Sequence, residues 1–524
     1  MLSSCKMNTA FRNSSPECPG KSGAANPKWA VALWLSLTVL AALAPVWLSS
    51  TLPTSDGGSH VYNAMIAHEV RNGKSPFDAR YILRVNPRSD FASDSTLRVL
   101  GPLFGWENAE RILASLILIV SGLLFYSITR KALSSDYAAL IAAWLANNWF
   151  FWMGFYDFSL SIAAFAGLVI AFRNSEEEIR WPWIGVSLFA LYATHLFTFA
   201  LGTALFIWVL LWRVGRRKTR ALWLTTAMLP VGLMIYELTT GPVGRGGVSW
   251  GGWKAFERAF TGWLIGDFLI TFSWIGLVVG AAVMLVTWAG LVRRIRLAIF
   301  SRRWDPIDLF AVAAFAGSLI VPDHIGAGLY TAARMRFITV ILLLPSTAVF
   351  LSASSIVTAA RSKYVVMVAL LTGLILQAGW IVRVSHFVTE EEEAIERTLR
   401  VAGVTNGAWV TSVLMNARTQ ALRIQVYAHV PERAYLRLGV CGLENYEAAL
   451  GNFEVQWRRP PDTATILPSN SGWIISRNVQ GLHWQGGLWV LHDAVFNISL
   501  GDRALYIVSE TAGGPYRVTR VEAR

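Results

Sequence analysis

The chain has 524 residues, 54% of them hydrophobic and only 15% charged, with 24 tryptophans and a net charge of +13. Its apolar residues come in runs as long as a bilayer is thick, which excludes an ordinary soluble protein and defines a polytopic membrane protein. The positive excess is what cytoplasmic loops carry under the positive-inside rule, so it points to membrane lipid and not to nucleic acid.

Residues 1–28 are polar, contain Lys6, Arg12, Lys21 and Lys28, and are expected to form a disordered basic cytoplasmic tail. The first span runs from Trp29 to Leu48. Within it Ala41-Ala-Leu-Ala44 imitates a signal cleavage site, but Pro45, the length of the run and the many later spans favour a retained anchor. Directly after it, Thr54-Ser-Asp-Gly-Gly-Ser-His60 places a carboxylate and an imidazole where a membrane-embedded substrate would meet water. Asp56 precedes an expected helix from Gly57 to Asn72, with Val61, Met65, Ile66 and Val70 on its apolar face and Gly73 at its end. Two roles are open to Asp56: capping that helix through backbone N–H groups, or chemistry as a carboxylate kept ionised by the helix terminus. His60 and His68 stand about 12 Å apart along the axis, too far to share one metal ion. His68 therefore reads as a helix-surface residue.

Candidate spans are 29–48, 110–129, 137–153, 155–172, 181–197, 198–213, 221–238, 265–291, 306–322, 336–359 and 364–382, about 11 in all. The stretch 184–212 is long for one helix and short for two, and 137–172 has the same ambiguity, with Gly154 as its expected break. Arg130-Lys131, Arg213 to Arg220, Arg293 to Arg303, and Arg361 with Lys363 all fall on one side if the N-terminus is cytoplasmic. The expected organisation is thus a transmembrane domain over 29–384 with a large first outer loop at 49–109, followed by a small extracytoplasmic α/β domain at 385–524, in the cytoplasmic (inner) membrane. In that last domain Thr389 with Glu390 to Glu392 reads as a capping box opening a helix through Val401. Strands are expected at 408–415, 472–476, 488–491 and 504–508, with two helices around 416–439.

This topology gathers Asp56, His60, Asp157, His195, Glu237, Asp267, Asp323, His324, Arg334 and Arg336 at the outer ends of the spans. Each ionisable group near hydrocarbon costs about 2.5–3.5 kcal/mol on insertion scales, so a cluster at one depth suggests a shared polar cavity. Plainer readings stand beside each candidate. Asp157, in Gly154-Phe-Tyr-Asp-Phe158, fits a hairpin whose carboxylate faces water. His195, in Ala193-Thr-His195, fits a buried histidine satisfied by a carbonyl. Asp323 and His324 are adjacent and so face different ways. Arg334 and Arg336 open a span on the side where positive charge is least expected, and fit either snorkelling to headgroups or a fork for a lipid phosphate or pyrophosphate. Cys5, Cys18 and Cys441 suggest neither a disulfide framework nor a cysteine metal site. Asn497-Ile-Ser499 matches a short glycosylation acceptor pattern, and no P-loop, dinucleotide fingerprint, HExxH or nucleophile elbow is present.

Asp56-Gly-Gly-Ser-His60 with the helix to Gly73-Lys-Ser-Pro76, Gly154-Phe-Tyr-Asp-Phe158, Ala193-Thr-His195 and the stretch Tyr330 to Arg336 resemble motifs of the GT-C clan of membrane glycosyltransferases. Asn445-Tyr-Glu-Ala448, with Phe453 after it, looks like a soluble-domain motif of a related bacterial multi-span group. The resemblance implies a GT-C-like helical fold and inverting transfer of a sugar from a polyprenyl-phosphate donor to a glycan, lipid or protein acceptor at the outer face. Asp56 would be the general base, and His60, Asp157, His195, Asp267, His324, Arg334 and Arg336 would bind substrate. Many clan members carry a second acidic residue beside the first, and some use it to hold a divalent metal. Gly57 stands there in this chain, so no metal ligand is assigned and a divalent cation stays open as cofactor. Competing classes are a non-catalytic protein that binds lipid-linked glycan or scaffolds an envelope-assembly complex, and a transporter, which would place paired charges near the midplane.

Overall fold

The computed structural model describes residues 28–458 apart from 75, 85–88, 131–132, 134, 174–180, 214–227, 237–238, 240–247, 250–251, 302–304, 323, 326–329, 354–359, 414–420, 443–444, 446 and 449–452, together with strands at 482–485, 488–491, 505–509 and 517–521. The expected tail at 1–27, Glu237, Asp323, the strand at 472–476 and Asn497 to Ser499 lie outside the described residues.

The membrane part contains α1 (Lys28–Leu48), then, beyond the long first connection with α2 (Gly57–Arg71) and α3 (Ala92–Phe104), α4 (Trp106–Thr129), α5 (Ser135–Ala146), α6 (Tyr156–Arg173), α7 (Trp181–Thr194) and α8 (Leu196–Arg213). It continues through α9 (Gly252–Ile265), α10 (Ile275–Ser301), α11 (Pro306–Ile320), α12 (Thr331–Ala353) and α13 (Ala360–Val401). Among the described residues four stretches, Trp106–Thr129, Tyr156–Arg173, Ile275–Arg296 and Tyr364–Val401, are long and apolar enough to cross a bilayer. Shorter apolar helices accompany them, and the chain is a membrane protein. Aromatic rings tie the bundle together around Phe150. Phe337 of α12 stacks on Phe150 and Phe268, and Phe150 meets Phe158 edge-on at 4.6 Å.

The two ambiguous runs each break, for identifiable reasons. His195 separates α7 from α8, and the Asp90 carboxylate accepts the Leu196 N–H at 3.0 Å, satisfying a donor at the new helix start. In 137–172 the first break comes earlier than Gly154. Asn148 caps a single turn, Trp149–Trp152, by accepting the Phe151 N–H at 3.1 Å, and Gly154 (φ +80°) then turns the chain into α6.

Two expectations are corrected. The span placed at 265–291 is instead α10, beginning at Ile275, because Gly266 (φ +61°) ends α9 and a 3-10 turn at Asp267–Leu269 intervenes. A side chain at Gly266 would lie 2.7 Å from the Gly280 carbonyl oxygen, so only glycine lets the chain double back here. Nor does the capping box at Thr389 open a helix, since α13 runs through it without interruption to Val401. The Thr389 hydroxyl turns back to the Ser385 carbonyl at 2.9 Å, as it does inside a helix. Ser385 itself exchanges bonds with the Thr51 backbone (3.2 and 2.6 Å) and so anchors α13 to the chain just after α1.

Outside the bundle, β4 (Trp409–Val413), β5 (Cys441–Gly442), β9 (Leu505–Ser509) and β10 (Arg517–Val521) form a sheet in the order β10-β9-β4-β5, parallel except for the β9–β10 pair. Among the described residues of 416–439 there is one helix, α14 (Val430–Leu438), with turns at 422–423 and 426–429, while 416–420 lie outside the described residues. Strands β7 (Leu482–Gln485) and β8 (Leu488–Leu491) pair with each other, and β2 (Val248–Ser249) pairs with β3 (His324–Ile325).

The first connection, between α1 and α4, and the segment 421–458 interlock. Strand β1 (Tyr81–Leu83) pairs antiparallel with β6 (Val455–Trp457), and Tyr81 stacks on Trp457 at 4.5 Å. The Tyr62 hydroxyl donates to the Val440 carbonyl at 2.7 Å and accepts the Gly442 N–H at 2.9 Å. Asn445 donates to Asn63 at 2.7 Å, and Arg98 pairs with Glu454. These buried polar bonds are satisfied only when both pieces are present, so the two pieces order one another.

Candidate active site

Glycines set the position of Asp56. Its N–H donates to the Met153 carbonyl at 2.9 Å, and a side chain at Gly154 would lie 2.6 Å from the Gly57 nitrogen and 2.9 Å from the Asp56 nitrogen. A side chain at Gly57 would collide with Glu110 and Thr54 and reach 2.7 Å from the Tyr156 hydroxyl. At Gly58 it would lie 2.6 Å from the His429 carbonyl oxygen and 3.1 Å from Arg433 Cγ. The Gly-Gly pair is therefore required by the close approach of the α2 N-terminus to α4, α6 and α14.

Asp56 occupies the N-cap position of α2, yet its side chain makes no cap bond. Instead the carboxylate faces His429, with Oδ1 3.7 Å from Nε2. His429 Nδ1 is bound by Glu432 Oε1 at 2.8 Å, so Glu432, His429 and Asp56 stand in series. Burial pushes the Asp56 carboxyl above the usual carboxylate range, with the charges of His429 and His60 acting in the opposite sense. Burial also works against charge on His429, but Glu432 and then Asp56 outweigh it and push the imidazole up to about 9.

A second cluster lies further along α2. His60 Nδ1 is 3.2 Å from Asp94 Oδ1 and 3.4 Å from Glu447 Oε1. All three residues are buried, and one ligand-type atom from each lies within 4.8 Å of the others. Burial opposes charge on His60, but Glu447 and Asp94 push it up to about 10, while burial pushes Glu447 up to about 7. Asp157 borders this group and holds the start of α3, accepting the Ser93 N–H at 2.8 Å and the Ser93 hydroxyl at 2.6 Å. It is a half-buried cap rather than a water-facing hairpin residue. His68 lies apart, bonded to Asn72 and edge-on to Trp106.

The two arginines of α12 have different surroundings. Arg336 forms an ion pair with Asp267 (2.6 Å to Oδ2), which Arg423 also approaches at 3.7 Å, and Gly262 leaves room for its guanidinium. Arg334 meets no carboxylate within ion-pair distance among the described residues. It lies 2.7 Å from His195 Nε2, with the rings of Phe155 and Phe158 5.2 and 5.0 Å away, and within electrostatic reach of Asp56 and Asp90. His195 accepts from Arg334 and therefore presents a neutral nitrogen there. His324 is described only as backbone, paired opposite Ser249.

The structure thus brings Asp56, His60, Asp157, His195 and Arg334 into one region and joins Arg336 to Asp267 beside it. Sequence reading missed Asp94, Glu110, His429, Glu432 and Arg433. The His429-Val-Pro-Glu432 spacing, an imidazole and a carboxylate at i and i+3 around a helix start, was the available signal for two of them. Arg433 reaches into the membrane part and forks onto Glu110, with Nη1 to Oε2 at 2.7 Å and Nη2 to Oε1 at 2.8 Å.

No family model matches the chain, and no curated protein matches it. Among solved structures it is similar to ArnT from Cupriavidus metallidurans. The form bound to undecaprenyl phosphate gives 12% identity and a TM-score of 0.44, covering 80% of this chain and 91% of that one. The apo form gives 12% identity and 0.46, covering 80% and 90%. The Archaeoglobus fulgidus oligosaccharyltransferase, in complex with Zn and sulfate, gives 12% identity and 0.39, covering 75% and 61%. At such scores the likeness is loose and assigns no residue a role.

Proposed function

We propose that the chain is a membrane glycosyltransferase that moves a sugar from a polyprenyl-phosphate donor to an acceptor hydroxyl at the outer face, with Asp56 as general base. The observation that carries this reading is the Asp56 carboxylate itself. It sits at a helix start but is not spent on the cap, it is half-buried, and its neighbours His429 and Arg334 are cationic or proton-bearing. The acceptor oxygen would attack the anomeric carbon as Asp56 takes its proton, and the C–O bond to phosphate would break with its electron pair leaving on the phosphate. Arg334, held between two aromatic rings, supports the phosphate charge as it develops, so no general acid is needed. A single displacement inverts the anomer. Arg336 has its own carboxylate partner and fits a supporting place behind Arg334.

The test is transfer from radiolabelled polyprenyl-phosphate sugars by the purified chain in nanodiscs, wild type beside Asp56→Asn. Loss of a general base removes on the order of 10²–10⁴-fold in rate, so turnover should fall by that factor while donor binding persists. Equal turnover in both proteins would remove Asp56 from the chemistry. Donor binding without transfer by the wild type would leave a non-catalytic lipid-glycan binder.

A further inference from the structure

We propose that His60, Asp94 and Glu447 form a zinc-class divalent cation site that fastens the C-terminal segment onto the first outer loop. The ligands come from three places: α2, α3 and the stretch following β5. The three ligand-type atoms lie within 4.8 Å of one another, and the two separations from His60 match those of neighbouring ligands around a metal. With metal–ligand bonds of about 2.0–2.2 Å in a tetrahedral site, neighbouring ligand atoms stand roughly 3.2–3.6 Å apart. His60 Nδ1 is 3.2 Å from Asp94 Oδ1 and 3.4 Å from Glu447 Oε1, at or beyond the long end of N–H···O bonds.

The state of Glu447 is an independent observation. Its side chain is fully buried with Ser59 close by, and among the described residues neither carboxylate oxygen has a hydrogen-bond partner. A buried carboxylate that makes no hydrogen bond keeps lone pairs free for a ligand, and a metal ion would take the place of the proton on His60, 3.4 Å away. Two carboxylates with a neutral imidazole carry a charge of −2, which a divalent ion cancels. One nitrogen and two oxygens form a three-ligand set with a fourth position open, whereas calcium prefers six to eight oxygens and magnesium near-ideal octahedral geometry. The site includes neither Asp56 nor Asp157. It therefore does not depend on the proposed sugar transfer, and ties the assembly of the outer region to metal.

The experiment uses the full chain in nanodiscs, stripped with chelator and titrated with Zn²⁺ by calorimetry, then loaded with Co²⁺ for visible absorption. One saturable Zn²⁺ per chain and a tetrahedral Co²⁺ spectrum are expected. Glu447→Gln and Asp94→Asn should each weaken Zn²⁺ binding at least about tenfold, and Asp56→Asn should leave it intact. Absence of saturable Zn²⁺ binding in the wild type overturns the proposal, whatever the variants do. So does a folded Glu447→Gln that binds as tightly as the wild type. Loss of transfer in Asp56→Asn with zinc retained, or the reverse, separates this site from the proposed chemistry.

Discussion

The Glu110 carboxylate and the Arg433 guanidinium meet fork to fork at 2.7 and 2.8 Å, although 323 residues separate them in sequence. Both side chains are buried, at 1% and 5% exposure. Tyr156 donates to the same carboxylate at 2.7 Å, and Arg433 also donates to the Leu52 carbonyl at 3.1 Å, so the charges are hydrogen-bonded as well as paired. Removing one member of such a buried pair costs about 3–5 kcal/mol, because the other charge is left uncompensated. Arg433→Met should lower the unfolding midpoint of the purified chain substantially, and Arg433→Met with Glu110→Leu should recover part of the loss. Additive losses in the double variant would show that the two residues do not act as a unit.

His429 gives the region around Asp56 a dependence on alkaline pH. Its pKa rises from 6.5 to about 9 on folding, so the stabilisation from its proton is complete below about pH 6.5 and is lost as the pH climbs through about 9. Stability measured from neutral to alkaline pH should fall over that window in the wild type and fall less in His429→Gln. Parallel curves for the two proteins would remove His429 as the source.

Gly57 and Gly122 differ in what surrounds them. Gly57→Ala drives a methyl into Glu110 and Thr54, and overpacking of this kind costs about 1–3 kcal/mol. Gly122 in α4 has open space around it, so Gly122→Ala should be neutral or mildly stabilising. Thermal unfolding of both variants checks the contrast, and equal effects would contradict it.

The arginines of α12 should separate kinetically. A hydrogen bond to a charged group is worth about 1.5–3 kcal/mol, so Arg334→Gln should weaken donor-lipid binding on the order of 10–100-fold. Arg336→Gln orphans Asp267 beside Arg423 and should act first on stability. Donor titrations read beside unfolding midpoints would show whether the two losses fall on different quantities.

Local signals were legible in the sequence. The helix expected from Gly57 to Asn72 is α2 at Gly57–Arg71, with Gly73 in the left-handed region beyond it, because a glycine stop and an apolar stripe are short-range features. The capping role open to Asp56 was not realised, since the pull of a distant imidazole cannot be read from neighbouring residues. At Thr389 the local pattern misled, as the apolar register of the last span carried the helix through it. His429 and Glu432 were hidden for the same physical reason. They reach the region through the β1–β6 ladder, the Tyr62 and Asn63 bonds and the Arg433–Glu110 fork, which join pieces more than 320 residues apart and leave no periodic trace.

The unbroken course of α13 has a mechanical consequence. At 1.5 Å per residue its 42 residues extend about 63 Å, roughly twice the hydrocarbon thickness of a bilayer. A rod of that length, pinned to Thr51 at Ser385, works as a mast. Glu392 and Glu396 near its C-terminal end grip Arg437 of α14 at 2.8 and 3.3 Å, and so hold the platform bearing His429 at one fixed height along the rod. Insertion of a single residue between Ser385 and Glu392 would shift the two glutamates by about 1.5 Å along the axis and about 100° around it, pulling Arg437 and the helix that carries it against the Arg433–Glu110 fork and His429 away from Asp56.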